Sequence, residues 1–230
     1  MDNVWKNAPP RLNEPAPAFA ARTTHGPRSL EDYRGKWLIL FSHPADFTPV
    51  CTSEFVAFAR AAGRFRALGC ELLGLSIDSN FSHLAWMRNI REKFGIEVPF
   101  PVIEDQSMRI AFDYGMIQAG ASDTSTVRAT FFIDPESKIR AMVYYPMTNG
   151  RSVEEFLRLL QAMQASDRHG VATPEGWQPG DKVVVPPPSN VAEADARAKA
   201  GYDYVDWYYA RTELPSAPAK RKAKTKRGAR

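Results

Sequence analysis

The stretch KWLILFSHPADFTPVCTSEF, residues 36 to 55, contains an apolar run, a proline-containing loop and the start of an amphipathic segment. A glycine and a proline bound the apolar run 36–42, which is the pattern of a short buried strand. Apolar residues then recur at three- and four-residue steps, which predicts a helix over 52–68 with one buried face. The run ELLGLSID, residues 71–78, predicts a second buried strand. A strand, a helix and a strand with short joins predict a right-handed βαβ unit with parallel strands.

The α/β pattern continues beyond this unit. Residues 79–95 predict a helix that Ser79 can cap and Gly95 can end. The apolar segments on either side of the turn DPESK predict an antiparallel hairpin. An amphipathic helix with glutamates in its first turn is expected over 152–164.

Changes in composition predict three parts: a main α/β domain over 1–168, a C-terminal extension arm over 169–216 and a disordered basic tail over 217–230. Within the first part, residues 1–35 are rich in proline and polar groups and predict an irregular lead-in. The aromatic stretch 201–215 is too short to form its own core, so we expect it to be buried against a second subunit.

Cysteine content and the lack of a secretory or membrane-spanning pattern predict a reduced, cytoplasmic protein, and the charge distribution predicts a basic C-terminal tail. The net charge is +4, but seven of the 30 Lys and Arg residues lie in 217–230, so the rest of the chain is slightly acidic. We expect the basic tail to be solvated, with weak, salt-dependent binding to nucleic acid or an anionic surface as the alternative. The N-terminus lacks a secretory pattern, no apolar run reaches the roughly 18 residues of a membrane span, and two cysteines do not make a disulfide framework.

The two cysteines lie in different settings. Cys51 lies where the loop meets the predicted helix, whose first turn leaves N–H groups unpaired and carries partial positive charge, so a thiolate is stabilised there. Cys70 precedes an apolar strand and is expected to be a small buried hydrophobe. A helix over 52–68 is about 25 Å long, whereas a disulfide needs Cα atoms within about 7 Å. We therefore expect no disulfide between the two.

A single activated thiol suits three chemistries. Disulfide reduction is disfavoured because no C-x-x-C pair follows Cys51. Cys–His acyl transfer stays open, since His43 is a nearby candidate base. Peroxide reduction needs only a thiolate that attacks the O–O bond to give a sulfenic acid, and donors that hold the peroxide oxygens.

Pro44, Thr48 and Cys51, spaced P-x-x-x-T-x-x-C, resemble the peroxiredoxin active-site signature. The blocks HPADFTPVCTSE, GLSIDSNFSHLAWMRNI, Arg128 before TFFIDP, TNGR and VATPEGWQPGD are similar to the peroxiredoxin 6-type, or 1-Cys, subfamily. The resemblance covers about residues 10–215. It implies a thioredoxin-like (peroxiredoxin) α/β fold with a C-terminal extension arm, and a homodimer built through that arm, in some members assembled further.

The resemblance also implies an activity, namely thiol-specific reduction of hydrogen peroxide and organic hydroperoxides through a sulfenic acid. In that scheme Cys51 is the nucleophile, Thr48 holds the peroxide, Pro44 shields the pocket and Arg128 steadies the developing negative charge. A guanidinium suits this task because it does not lose its proton. The implied site residues are Pro44, Thr48, Cys51 and Arg128 as catalytic residues, His43, Thr48, Val50 and Arg128 as peroxide contacts, and Glu54 and Arg151 as a supporting network.

No cofactor or metal is expected. The remaining histidines, His25, His83 and His169, lack the spacing of metal ligands and are expected to be structural.

The chain departs from some relatives at two points. The segment DWYYART holds no second cysteine, so an external thiol, such as thioredoxin, glutathione or a similar reductant, must regenerate Cys51. Lys36 precedes Trp37 where phospholipase-active relatives carry the serine of G-D-S-W, so no phospholipase activity is expected by that route.

A function of another class, a redox-regulated chaperone or binding protein that uses assembly or the tail, is the alternative.

Overall fold

The computed structural model describes residues 9–118, 120 and 124–214. The chain divides into two compact units after Leu157, and each is described by itself. The strands are β1 (Ala20–Ala21), β2 (Arg28–Ser29), β3 (Trp37–Ser42), β4 (Cys70–Ser76), β5 (Val102–Glu104), β6 (Arg128–Ile133), β7 (Ile139–Tyr145), β8 (Val183–Val184), β9 (Asp203–Asp206) and β10 (Tyr209–Thr212). The α-helices are α1 (Pro49–Ala67), α2 (Asn80–Phe94), α3 (Arg109–Asp113), α4 (Val153–His169) and α5 (Val191–Arg197).

A five-stranded mixed sheet in the order β5-β4-β3-β6-β7 forms the centre of the first unit. Strands β3, β4 and β5 are parallel, and β6 and β7 add an antiparallel hairpin beside β3. All six residues of β3 are buried, as expected for a central strand covered on both faces. The predicted parallel strands and the predicted hairpin are both confirmed.

Helix α1 begins at Pro49, three residues before the predicted start. Proline suits the first helical position, because its fixed φ matches the helix and its missing N–H is not needed there. Cys51 therefore lies inside the first turn. Helix α2 follows the prediction, since the side chain of Ser79 accepts a hydrogen bond from the Ser82 N–H and Gly95 ends the helix with φ 66°.

Buried aromatic rings fix α1 on the sheet. Phe58 of α1 stacks on Phe41 of β3 with ring centroids 4.4 Å apart. Phe55, one turn after Cys51, packs against Phe41 at 5.7 Å and against Phe100 at 5.6 Å. Offset and edge-to-face pairs of this kind add to the stability gained by burial. They hold the start of the helix at the end of β3.

Residues 9–35, the described part of the predicted irregular lead-in, contain regular structure. Strands β1 and β2 form a short antiparallel pair, and a 3-10 helix follows over Leu30–Tyr33. Phe19, Leu30 and Tyr33 are buried in the same core as Leu38 of β3. These three apolar residues are isolated in a polar, proline-rich segment, so the sequence pattern did not predict their burial.

The second unit also differs from the predicted extended arm. Strands β8, β10 and β9 form an antiparallel three-stranded sheet, and Trp177 and Val183 are buried with Ala162 and Ala165 of α4. The indole N–H of Trp177 donates to the carbonyl of Asp181 at 3.0 Å. A Gly- and Pro-rich segment thus gains a small core from a few apolar side chains that have no periodic pattern.

Among the described helices, none has the length and apolar character needed to cross a membrane. The predicted basic tail, 217–230, lies outside the described residues.

Candidate active site

Cys51 lies at the carboxyl end of β3, where open α/β sheets place their reactive groups. A loop of residues 43–48 joins the strand to α1, and Cys51 follows in the first turn of that helix. The first-turn amides of a helix have no intrahelical acceptor, so they present positive partial charge to the sulfur. The side chain is completely buried.

Arg128 provides the charged contact to the sulfur. It is the first residue of β6, which runs antiparallel to β3 with Thr130 opposite Phe41, so Arg128 lies at the carboxyl end of β3. Its Nη1 is 3.4 Å from the sulfur of Cys51. The same nitrogen donates to Glu54 at 2.7 Å, and Nε donates to the carbonyl of Met147 at 2.9 Å. The guanidinium is thereby fixed in place beside the thiol.

Glu54 and Arg151 complete a buried ionic network. The backbone N–H and the Nε of Arg151 both donate to Oε1 of Glu54 at 2.8 Å, and its Nη2 donates to Oε2 at 2.8 Å. Burial alone would raise the pKa of Glu54, but the hydrogen bonds and charge of Arg151, together with the charge of Arg128, hold it below its ordinary value. One carboxylate between two guanidiniums leaves one positive charge, which a thiolate at Cys51 would balance.

Thr48 and Val50 precede Cys51 by three residues and one residue, and both are partly exposed. The hydroxyl of Thr48 donates to the carbonyl of Ala45 at 2.9 Å, which leaves its oxygen free to accept a hydrogen bond. A Cβ on Gly150 would lie 3.5 Å from Val50, so the turn before Arg151 packs closely on the start of α1.

His43 and Pro44 begin the loop, and both are buried. The backbone of His43 is held on two sides, because its N–H donates to Leu75 at 2.9 Å and its carbonyl accepts from the Thr126 hydroxyl at 2.7 Å. Its ring lies 4.8 Å from the ring of Phe55. Burial lowers the pKa of His43, although Asp46 opposes this shift. Among the described residues, Nδ1 of His43 has no hydrogen-bond partner.

Sequence reasoning missed two residues of this region, Asp46 and His83. Asp46 accepts from Nε2 of His43 at 2.9 Å through Oδ1, and its Oδ2 lies 2.8 Å from Nδ1 of His83, 37 residues away in sequence. His83 was expected to be structural, and its hydrogen bond to Asp46 was not predicted. The signal was present in the topology, because residues that follow the parallel strands β3 and β4 meet at one edge of the sheet.

His43, Asp46 and His83 have the residue types and close spacing of a metal site, with ligand atoms within 4.8 Å of one another. In the structure the carboxylate is instead shared by two imidazoles at hydrogen-bond distance. A metal ion would have to displace these bonds, so we assign no metal here and its absence stays a prediction.

Cys70 lies apart from the site. It is the first residue of β4, opposite Trp37, and burial raises the pKa of its thiol. Both cysteines are free, as predicted.

Two family models match the chain. The AhpC/TSA family matches residues 12–142, and the C-terminal domain of 1-Cys peroxiredoxin matches residues 162–201. A peroxiredoxin from Aquifex aeolicus is 52% identical over 216 residues, which cover 89% of this chain and 97% of that protein.

Solved structures of peroxiredoxins have the same fold as this chain. A yeast mitochondrial 1-Cys peroxiredoxin, studied for thiol resolution via the glutathione/thioredoxin systems, has a TM-score of 0.78 and 41% identity, covering 88% of this chain and 99% of its own. A mutant of the peroxiredoxin 6 of Arenicola marina has a TM-score of 0.78 and 33% identity, covering 90% and 99%. The expected thioredoxin-like fold with a C-terminal extension is confirmed.

Proposed function

Because the chain belongs to the AhpC/TSA family as a 1-Cys-type peroxiredoxin, and is therefore a thiol peroxidase, we propose that it reduces hydrogen peroxide and organic hydroperoxides at Cys51. The observation that carries this proposal is the 3.4 Å contact between Nη1 of Arg128 and the sulfur of Cys51. A buried thiolate needs a fixed positive charge beside it, and a guanidinium supplies that charge without accepting a proton.

In the proposed reaction the sulfur of Cys51 attacks one oxygen of the peroxide. An S–O bond forms and the O–O bond breaks, so that the sulfur becomes a sulfenic acid and the other oxygen leaves as hydroxide or alkoxide. Negative charge moves from sulfur to the leaving oxygen during this step. We propose that the Nη1 of Arg128 also donates to the leaving oxygen as that charge develops, which is the task of a preorganised oxyanion donor.

Thr48 is proposed to orient the peroxide. Its hydroxyl hydrogen is engaged with the carbonyl of Ala45 at 2.9 Å, so its lone pairs are the groups available to a ligand. The peroxide O–H can donate to this oxygen while the sulfur approaches from the helix start. Val50 and Pro44 are proposed to supply apolar surface on either side, and Glu54 and Arg151 to hold Arg128 in place.

Regeneration is proposed to come from an external thiol, such as thioredoxin, glutathione or a similar reductant. Cys70 is fully buried in β4 and its thiol pKa is raised by that burial, so it is a poor attacking thiolate. Two external thiols reduce the sulfenic acid to the thiol and yield one disulfide and one water. A reducing compartment such as the cytoplasm suits this chemistry.

The chain is proposed to form a homodimer through the second unit. Dimers of this kind could assemble into a higher oligomer. Tyr204, Val205, Trp207 and Tyr208 are exposed there, and Trp207 is 52% exposed. Tyr204 and Trp207 line an open groove of about 700 Å³ beside Val191. Contiguous apolar surface of this kind marks interaction sites, and aromatic residues are enriched at interfaces.

Cysteine acyl transfer with His43 as base is not favoured. The polar contact of the sulfur runs to Arg128, which cannot accept its proton as a base would. The alternative of a redox-regulated chaperone that uses the basic tail depends on residues outside the described part of the chain.

The direct experiment treats the reduced protein with one equivalent of hydrogen peroxide and locates the added oxygen by mass spectrometry after trapping sulfenic acid. We expect one trapped sulfenic acid at Cys51, none in Cys51→Ser, and an unchanged result in the matched variant Cys70→Ala. Modification at Cys70 with Cys51 intact would contradict the proposal.

A further inference from the structure

One peptide unit of the loop before Cys51 is held by hydrogen bonds at both of its polar groups. Its carbonyl, which belongs to Ala45, accepts the hydroxyl hydrogen of Thr48 at 2.9 Å. Its N–H, which belongs to Asp46, donates to Oδ2 of Asp78 at 3.1 Å. The peptide is trans, so its N–H and its carbonyl point in opposite directions within one plane. A bond that fixes the direction of the N–H therefore also fixes the direction of the carbonyl.

Asp78 is itself anchored at the end of β4. Its Oδ2 accepts from the hydroxyl of Ser76 at 2.7 Å, and the oxygen of that hydroxyl accepts from the backbone N–H of Asp78 at 3.1 Å. Ser76 is the last residue of β4 and is completely buried. Its carbonyl accepts from the N–H of Asp105 at 3.0 Å. The sheet thus presents Oδ2 of Asp78 to the loop as a fixed acceptor.

The loop needs an anchor of this kind because its backbone is strained. Phe47, between Asp46 and Thr48, has a φ of 57°, in the left-handed region that bulky side chains rarely adopt. Phe47 is also 55% exposed, so the packing of its ring gives limited support to this conformation. Hydrogen bonds on either side of it, from the Asp46 N–H and from the Thr48 hydroxyl, hold the turn.

We propose that Asp78 is a positioning residue for peroxide reduction, because it aims the Ala45 carbonyl at the hydroxyl hydrogen of Thr48. This inference rests on the proposed function, in which Thr48 orients the peroxide. While its hydrogen is engaged, the Thr48 oxygen offers only lone pairs, so it accepts the O–H of a hydroperoxide. A hydroxyl released from the carbonyl would rotate freely and could donate instead, and the peroxide would lose its fixed orientation. Asp78 acts through Thr48 and does not itself contact the peroxide.

Two variants separate the hydrogen bond of Asp78 from its charge, which also acts on His43. Asp78→Ala removes the acceptor, whereas Asp78→Asn removes the charge and keeps a carbonyl oxygen for the Asp46 N–H. We expect stopped-flow oxidation of Cys51 by hydrogen peroxide to slow about tenfold or more in Asp78→Ala, since a small misplacement of an orienting group is costly. Asp78→Asn should stay close to the parent rate. Equal slowing of the two variants, or a parent rate in both, would overturn the proposal.

The matched control for these variants is Asp32→Ala. It removes an exposed carboxylate that accepts from the backbone N–H of Ser29 at 2.7 Å, a bond of the same kind at a distant turn. We expect this variant to keep the parent rate of Cys51 oxidation. A loss equal to that of Asp78→Ala would show that the effect is not specific to the loop, and would overturn the proposal.

A double-mutant cycle with Thr48→Val shows whether Asp78 acts through Thr48. Valine matches the shape of threonine but lacks the hydroxyl, so Asp78→Ala should cause no further slowing in the Thr48→Val background. Alkylation of Cys51 by iodoacetamide, which has no peroxide O–H to orient, should keep the parent rate in Asp78→Ala. Additive losses in the double variant, or equal slowing of oxidation and alkylation, would indicate a general structural role and overturn the proposal.

Hydrogen exchange of the Asp46 amide tests the anchoring bond without any peroxidase activity. This amide should exchange faster in Asp78→Ala than in the parent and in Asp78→Asn. Unchanged exchange in Asp78→Ala would overturn the proposal even in an active peroxidase. Failure of the parent to oxidise Cys51 would instead contradict the proposed function. A slow Thr48→Val beside a parent-like Asp78→Ala would overturn the role of Asp78 alone.

Discussion

Nη1 of Arg128 lies 3.4 Å from the sulfur of Cys51, although the two residues are 77 positions apart in the chain. The contact exists because β6 pairs antiparallel with β3 and starts where β3 ends. In the proposed reaction a guanidinium at this position would stabilise both the thiolate and the charge that develops on the leaving oxygen.

Replacement of Arg128 by lysine should slow peroxide reduction strongly. Lysine keeps the charge but loses the fork that reaches the sulfur, Glu54 and Met147 together. We expect the rate of Cys51 oxidation by hydrogen peroxide to fall by about 10²–10³-fold, the effect of removing one preorganised donor. The matched control is Arg22→Lys, at an exposed arginine, which should keep the parent rate.

Glu54→Gln should destabilise the fold. The change leaves the guanidiniums of Arg128 and Arg151 buried without their carboxylate. Breaking a buried ion pair by removing one partner costs about 3–5 kcal/mol, and denaturant unfolding measures that loss. The exposed pair of Arg64 and Glu154 offers a control, since Glu154→Gln should cost at most about 1 kcal/mol. Equal, small effects of the two changes would contradict this account of the network.

Stability should fall in two stages as the pH is lowered. Burial lowers the pKa of His43 in the folded protein, so below the ordinary histidine value of 6.5 the unfolded chain binds a proton that the folded chain does not. Hydrogen bonds and nearby positive charges also lower the pKa values of Glu54 and Asp46, so their contribution to stability is present above the ordinary values of 4.5 and 3.8 and is lost as the pH falls through the folded values.

Urea unfolding between pH 8 and pH 3 checks this order of events. His43→Asn should remove the decline that begins near pH ~6.5 and leave the acid decline in place. Stability that increases on acidification would be the opposite of the expected sign.

Trp207→Ser should weaken the proposed dimer. It removes the largest exposed ring of the groove in the second unit, and aromatic anchors carry much of the energy of an interface. Sedimentation or light scattering should show a shift toward the monomer at low concentration. Phe81→Ser, at a residue 71% exposed in the first unit, is the matched control and should leave the mass unchanged. A parent-like mass for Trp207→Ser would place the interface elsewhere.

Local signals in the sequence predicted much of the first unit. Residues 36–42 and 71–78 are continuous apolar runs between turn signals, a pattern typical of buried strands. They form the adjacent parallel strands β3 and β4. Ser79 and Gly95 marked the ends of α2 through their specific capping chemistry. The position of Arg128 relative to Cys51 came from the family resemblance, and the residues alone did not indicate it.

The sequence predictions were wrong or incomplete where contacts between residues distant in the chain decide the structure. Phe19, Leu30 and Tyr33 are isolated apolar residues in a proline-rich segment, and only the completed core shows where they are buried. Trp177 likewise has no periodic neighbours. Asp46 and His83 meet only because two parallel strands place their ends side by side.

The central claim is that the folded chain activates Cys51 toward peroxide, and the most direct test is the rate of that one reaction. Stopped-flow mixing of reduced protein with hydrogen peroxide should give pseudo-first-order oxidation whose rate rises linearly with peroxide concentration. We predict a second-order constant at least about a thousandfold above that of the same cysteine in the urea-unfolded chain, in line with the effect of preorganised donors. A folded-state constant within about tenfold of the unfolded value would contradict the account, since Arg128 and the start of α1 would then provide almost no activation.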